Sequence, residues 1–352
     1  MFYFKVKPRL LINRINIKLE SKMKKTFFYS LLCALLLSGC SDQEEIMDVR
    51  RAMSTEAITI DQEGTQPPKL FTVNIGSQDM YCAGLINGIM VSTNLGSSPT
   101  FSSGFNATSL LQPGKNTLHF WVAPSRPNDE KDINEYEPQD NSYMTLFEAY
   151  PSGRKRELSN LHATLDKEGK PTIATSNTYP ESQRSPLINV EGTPFYDVTR
   201  FERPVYIDTI PRWRWVDATP FDPKNKEHMH QLHTAYEHLI YLMKKRDFEG
   251  LKMAWSLTSR EKALAEAGYS TPDDFFDALG FEETFERYED GRVEPHREWK
   301  EYTLESVMGG RLVRLEDKTG RSPLRINSDK KNLSYTVTPY FSFIDGRLVV
   351  VR

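Results

Sequence analysis

Residues 84–92 read GLINGIMVS, two apolar runs that meet at Asn87-Gly88. An Asn-Gly pair tolerates positive φ at both central positions of a type I′ turn, whose twist matches that of paired strands. The stretch therefore predicts a tight β-hairpin. Upstream, Leu70-Phe71-Thr72-Val73-Asn74-Ile75 alternates apolar and polar residues as a half-buried strand does. Downstream, Pro113-Gly114-Lys115-Asn116 reads as a turn feeding a second alternating run, Thr117 to Val122. Further β-type runs, Ser142 to Tyr150 and Lys155 to Leu165, are separated by Gly, Pro and Asp. Short strands, frequent turns and no helical period predict a β-sandwich of jelly-roll type over residues 69–179.

The segment NGIMV, followed by FNATSLLQPGKNTLHFWV, resembles the galactose-binding-like jelly roll that accompanies many glycosidases. There an Asn-Gly hairpin leads through a loop to leucine, two residues, Gly-x-Asn-x-Leu and a strand. The resemblance implies a sandwich and makes a glycan one candidate ligand. Phe120, Trp121, Phe147 and Tyr150 could stack on sugar faces or serve as core.

Residues 180–223 are rich in proline and aromatic residues and include IPRWRWVDATPFDP. Pro211, Pro220 and Pro223 favour extended backbone, so the segment reads as an ordered connector. In an extended chain Trp213 and Trp215 point to one side, Arg212 and Arg214 to the other. The two indoles either pin the connector onto a domain or, with the arginines, anchor a protein partner.

The second domain, residues 224–352, opens with KEHMHQLHTAYEHLIYLMKKRDFEGL. At ~100° per residue, Leu232, Tyr236, Leu239 and Met243 share one helix face. His230, His233 and Glu237 fall on its flank as the one metal-like constellation of the chain. It lacks the His-Glu-x-x-His spacing, and a zinc site would need a further ligand from elsewhere. Thr258-Ser259-Arg260-Glu261 fits a capping box, and Thr271-Pro272-Asp273-Asp274 a helix start with Pro at the first position. From Trp299 the period becomes two, with turns at Gly309-Gly310, at 318–321 and at Asp345-Gly346. Helices followed by an antiparallel meander predict an α+β domain. The early KRDFEGLKMAW helix and terminal YFSFIDGRLVVVR hairpin resemble the nuclear-transport-factor-2-like cone, a fold that hosts enzymes and binding modules alike.

At the other end, Met23-Lys24-Lys25 precedes an apolar run, Phe27 to Leu37, too short to span a membrane. Leu37-Ser38-Gly39-Cys40 follows, and the whole resembles a bacterial lipoprotein signal. The resemblance implies a signal peptide at 23–39, a lipid (palmitate among its chains) on Cys40, and an outer-membrane location facing the periplasm. Residues 1–22 read as an upstream in-frame start. Residues 40–68, rich in Gln, Glu, Asp and Ser, read as a flexible tether.

Composition narrows the function classes. The 45 basic against 48 acidic residues give a net charge of −3 with no basic stripe, which argues against nucleic-acid binding. Of 3 cysteines, Cys33 goes with the signal and Cys40 with the lipid, so Cys82 stays unpaired. The run Glu282, Glu283, Glu286, Glu289 and Asp290 reads as a solvated face. No nucleophile elbow, phosphate loop or dinucleotide fingerprint is present, and no cofactor is implied. The sequence thus points to a lipid-anchored envelope protein that binds a partner, one form being an immunity protein against a periplasmic toxin. The competing class is an envelope hydrolase, glycan-directed or zinc-dependent.

Overall fold

The computed structural model describes residues 42–60, 70–95, 97–128, 133–173, 187–189, 198–267 and 269–352. The signal segment, Cys40 and residues 61–68 of the expected tether lie outside these residues. The described chain begins in a helix, α1 (residues 42–53). Its first strands are β1 Leu70–Gln78, β2 Met80–Ile86, β3 Ile89–Thr93, β4 Phe101–Asn106, β5 Gly114–Pro124, β6 Arg126–Asn128, β7 Ile133–Glu135, β8 Asn141–Ala149, β9 Lys155–Leu165, β10 Pro171–Ile173, β11 Leu187–Asn189 and β12 Thr199–Ile207, of which β6 and β7 pair only with each other.

The Asn87-Gly88 hairpin forms between β2 and β3, with φ of 56° and 87° at its two central residues. Two five-stranded antiparallel sheets result, in the orders β10-β9-β8-β1-β4 and β11-β12-β5-β2-β3. Their facing residues, among them Val73, Ile75, Met144 and Leu161 from one sheet and Cys82, Phe120, Val122 and Phe201 from the other, make one apolar core. Cys82 is buried there, and burial pushes its thiol up to about 12. Such a thiol packs as a small apolar group.

β12 falls inside the stretch expected to be a connector. Its Pro204 is tolerated because, among the described residues, β11 covers only residues 199–201 of it. Beyond that point β12 is an edge, where a proline breaks no ladder bond.

Four helices follow: α2 Lys226–Lys245, α3 Phe248–Ala265, α4 Pro272–Asp277 and α5 Phe281–Arg287. Asn225 caps α2 by accepting from the Glu227 N–H, and Asp247 caps α3 by accepting from the Gly250 N–H. Thr271 and Asp274 make a reciprocal capping box at α4, with Pro272 at its first turn. The box expected at Thr258 to Glu261 does not exist, because those residues lie inside α3 and Thr258, Ser259 and Glu261 are buried.

The remaining strands are β13 Arg292–Val293, β14 Thr303–Val307, β15 Leu312–Glu316, β16 Leu324–Ser328, β17 Leu333–Val337, β18 Phe341–Ile344 and β19 Arg347–Val350. They form two antiparallel sheets, β14-β15-β18-β19 and β13-β16-β17, rather than one meander. The run Tyr335 to Ile344 breaks around Pro339, and its halves enter different sheets. The helices pack on these sheets through Tyr236, Leu239, Trp255, Phe341 and Val350. The fold class is therefore α+β, a β-sandwich followed by helices on antiparallel sheets. Among the described residues no helix is long and apolar enough to cross a membrane.

Residues 49–352 form one compact unit, and residues 49–60 of the expected tether belong to it. Met53, Thr55 and Ile58 are buried, and the Arg50 Nε donates to Asp247 Oδ2 at 2.7 Å. Arg260 Nη2 donates to the Thr55 and Ile58 carbonyls, and the Thr55 hydroxyl accepts from the Leu257 N–H. A polar composition concealed two apolar anchors spaced to reach α3.

Candidate functional site

Trp213 and Trp215 were the expected partner anchors, and both are fully buried at 0% exposure. They sit in a seam where the sandwich meets the helices and sheets that follow, in a cluster with Ile89, Leu257, Leu312, Tyr340 and Val351. The Trp213 Nε1 donates to the Leu111 carbonyl at 2.8 Å. An indole removes ~150 to 250 Å² from water when buried, so two of them favour closing the seam over meeting a partner. Neither indole offers a partner surface, and the connector is pinned by them.

The arginines beside them divide. Arg212 is exposed and pairs with Asp217 at 2.5 Å. Arg214 pairs with Asp345, while its backbone N–H donates to Glu261 Oε1 at 2.6 Å. Glu261 Oε2 in turn accepts from Arg352 Nη1 at 2.5 Å, with side-chain exposures of 0% and 3%. Arg352 Nε donates to the Ser109 carbonyl at 3.0 Å, and its guanidinium lies 5.6 Å from the Trp213 ring centroid. One carboxylate on α3 thus holds the connector, the sandwich loop and the last strand together.

The histidine flank also differs from expectation. His230 is exposed and His233 is half-buried. The His233 imidazole stacks on the Trp299 indole, centroids 4.5 Å apart and planes 4° from parallel. His296 stacks on the same indole at 4.1 Å, and the Trp299 Nε1 donates to Glu237 Oε1 at 3.3 Å. Burial lowers the His233 pKa; Glu237 opposes this, while His230 and His296 add to it. Among the described residues no group of three or more His, Cys, Asp or Glu converges to hold a metal. The expected His230, His233 and Glu237 site is replaced by an aromatic stack, whose other members lie some sixty positions along the chain where no local pattern could reveal them.

One residue from Glu261, α3 presents a different environment. Trp255, Ser259 and Lys262 of α3 face Phe275 and Leu279 of α4 and its following turn, and Thr336 and Val337 of β17, around a cleft of about 360 Å³. Arg352 lines it too, and its Nη2 is buried with no hydrogen-bond partner among the described residues. Lys262 has neither an ion pair nor a hydrogen bond among the described residues. Burial lowers its pKa below 10.5, and the Arg352 charge lowers it further. The lining side chains include two cations and no carboxylate, imidazole or thiol. Such a cleft can grip a ligand by charge, hydroxyl and apolar contact.

No protein-family model, no curated protein and no solved structure matches this chain.

Proposed function

We propose that the protein is a non-catalytic binding module carried on the cell envelope by a lipid on Cys40, and that the cleft between α3, α4 and β17 is its binding surface. The observation that carries this reading is the lining itself. General acid–base work needs a group able to take a proton within hydrogen-bond reach of the reacting atom. Glu261, next to Lys262 on α3, is saturated by Arg352 and the Arg214 N–H, and His233 and His296 are stacked on Trp299. What faces the cleft is a set of gripping groups: a lysine, the Ser259 and Thr336 hydroxyls, and aromatic rings.

The test is native mass spectrometry of the protein from residue 41 onward, purified from an envelope extract, beside its Ala278→Trp variant. Ala278 lines the cleft from an exposed position, so an indole there fills it without entering the core. The reading expects a retained small molecule that leaves chemically unchanged and is absent from Ala278→Trp. A molecule converted over time, or one retained equally by the variant, would contradict it and favour the hydrolase.

A further inference from the structure

The lining also says what kind of molecule fits. Lys262 is half-buried and unpaired among the described residues, and it stands beside Arg352, whose charge is already offset on the seam side by Glu261. A cation held partly out of water costs free energy that an incoming anion recovers, because charge pairs interact more strongly at low dielectric. The hydroxyls of Ser259 and Thr336 have no hydrogen-bond partner among the described residues and face the same space. The apolar part of the lining includes Trp255, Phe275, Leu279 and Val337. A volume of about 360 Å³ lies near the lower end of small-molecule sites, ~300 to 1,000 Å³.

We propose that this cleft binds a small organic anion, a carboxylate or phosphate on a compact apolar body, with the Lys262 ammonium pairing with the anionic head and the Trp255–Phe275 wall covering the body. The proposal rests on the reading of the cleft as the binding surface. Carboxylate and phosphate share the chemistry that Lys262 recognises, and the probes separate them.

Four probes of one body suffice in titration calorimetry at low salt and neutral pH: 3-phenylpropionate, 3-phenylpropyl phosphate, 3-phenylpropylammonium and 3-phenylpropanol. At least one of the two anions should bind at least about tenfold more tightly than the alcohol and the ammonium. Lys262→Gln should erase that preference by about tenfold or more, and Lys262→Arg should keep most of it. Equal thermal midpoints and far-ultraviolet spectra show that both variants are folded. If the alcohol binds as tightly as the anions, or Lys262→Gln leaves their affinity unchanged, the anion proposal falls while the cleft survives as a binding site. If no probe binds the wild-type protein and Ala278→Trp still retains the envelope ligand, the cleft reading falls with it.

Discussion

Glu261 and Lys262 are neighbours on α3, and they belong to opposite kinds of surface. Glu261 faces the seam, where its charge is fully met: Arg352 Nη1 and the Arg214 N–H take its two oxygens, and beside them the Trp213 Nε1 meets the Leu111 carbonyl. Lys262 faces the cleft and has no partner among the described residues. A buried charge that loses its partner is strongly destabilising, whereas a charge that never had one is a cost the fold already bears. The difference separates what holds this molecule together from what it holds out to a ligand.

The largest effect should come from the seam's packing. Trp213→Ala removes a fully buried indole and should cost about 4 kcal/mol in urea unfolding. A cost under about 1 kcal/mol would mean that the sandwich and the following region barely depend on one another. Glu261→Gln tests the charge at the same place. It leaves the Arg352 guanidinium nearly inaccessible and without its counter-ion, and should cost about 3 kcal/mol.

A second closed pair sharpens the rule away from the seam. Asp317 pairs with Arg325 at 3.2 Å, both side chains almost fully buried. Burial alone would raise the Asp317 pKa, but hydrogen bonds from Thr319 and the Arg321 N–H, with the Arg325 charge, outweigh it and bring it to about 2. A carboxylate depressed from the ordinary 3.8 lends stability that is fully present above that ordinary value and fades as the pH falls toward 2. Asp317→Asn should therefore destabilise by roughly 2 kcal/mol at neutral pH. Its difference from wild type should shrink between pH 4 and pH 2 in acid titrations followed by circular dichroism.

Lys262→Met should act in the other direction, raising stability by up to about 1 kcal/mol, since it removes an unpaired cation from a partly desolvated site. The sign of its pH dependence follows. A lysine whose folded pKa is lowered is a burden while protonated in both states, and the burden lifts as the pH rises through the lowered value toward the ordinary 10.5. The gain from Lys262→Met should accordingly diminish in alkaline unfolding measurements. Smallest of all, Arg212→Ala breaks an exposed ion pair with Asp217 and should change the unfolding free energy by no more than about 0.5 kcal/mol.

Much of the architecture was readable from local chemistry. Asn87-Gly88 turned as its φ preferences require, and the Thr271-Pro272-Asp273-Asp274 start capped its helix with both reciprocal hydrogen bonds. Errors arose where a residue's role depended on something distant. Thr199 to Ile207 lay in a stretch that its prolines and aromatics made read as a connector, and only the distant pairing with β5 makes it a strand. Met53 and Ile58 sat in a polar segment whose average hid how well two apolar side chains could dock on α3. The candidate site was the least legible part. Trp213, Trp215 and His233 are residue types that bind partners and metals, but seam burial takes the indoles and the Trp299 stack takes His233, while His230 stays exposed. Lys262 carried no motif, and its significance lies in the absence of a counter-ion among the described residues, a property only the fold confers.

The most direct measurement is urea unfolding of Glu261→Gln and Lys262→Met side by side, in one buffer at neutral pH without added ligand. The account predicts midpoints displaced in opposite directions, Glu261→Gln well below wild type and Lys262→Met at or above it. Two displacements of the same sign and similar size would contradict it, because Lys262 would then be as much a structural charge as its neighbour.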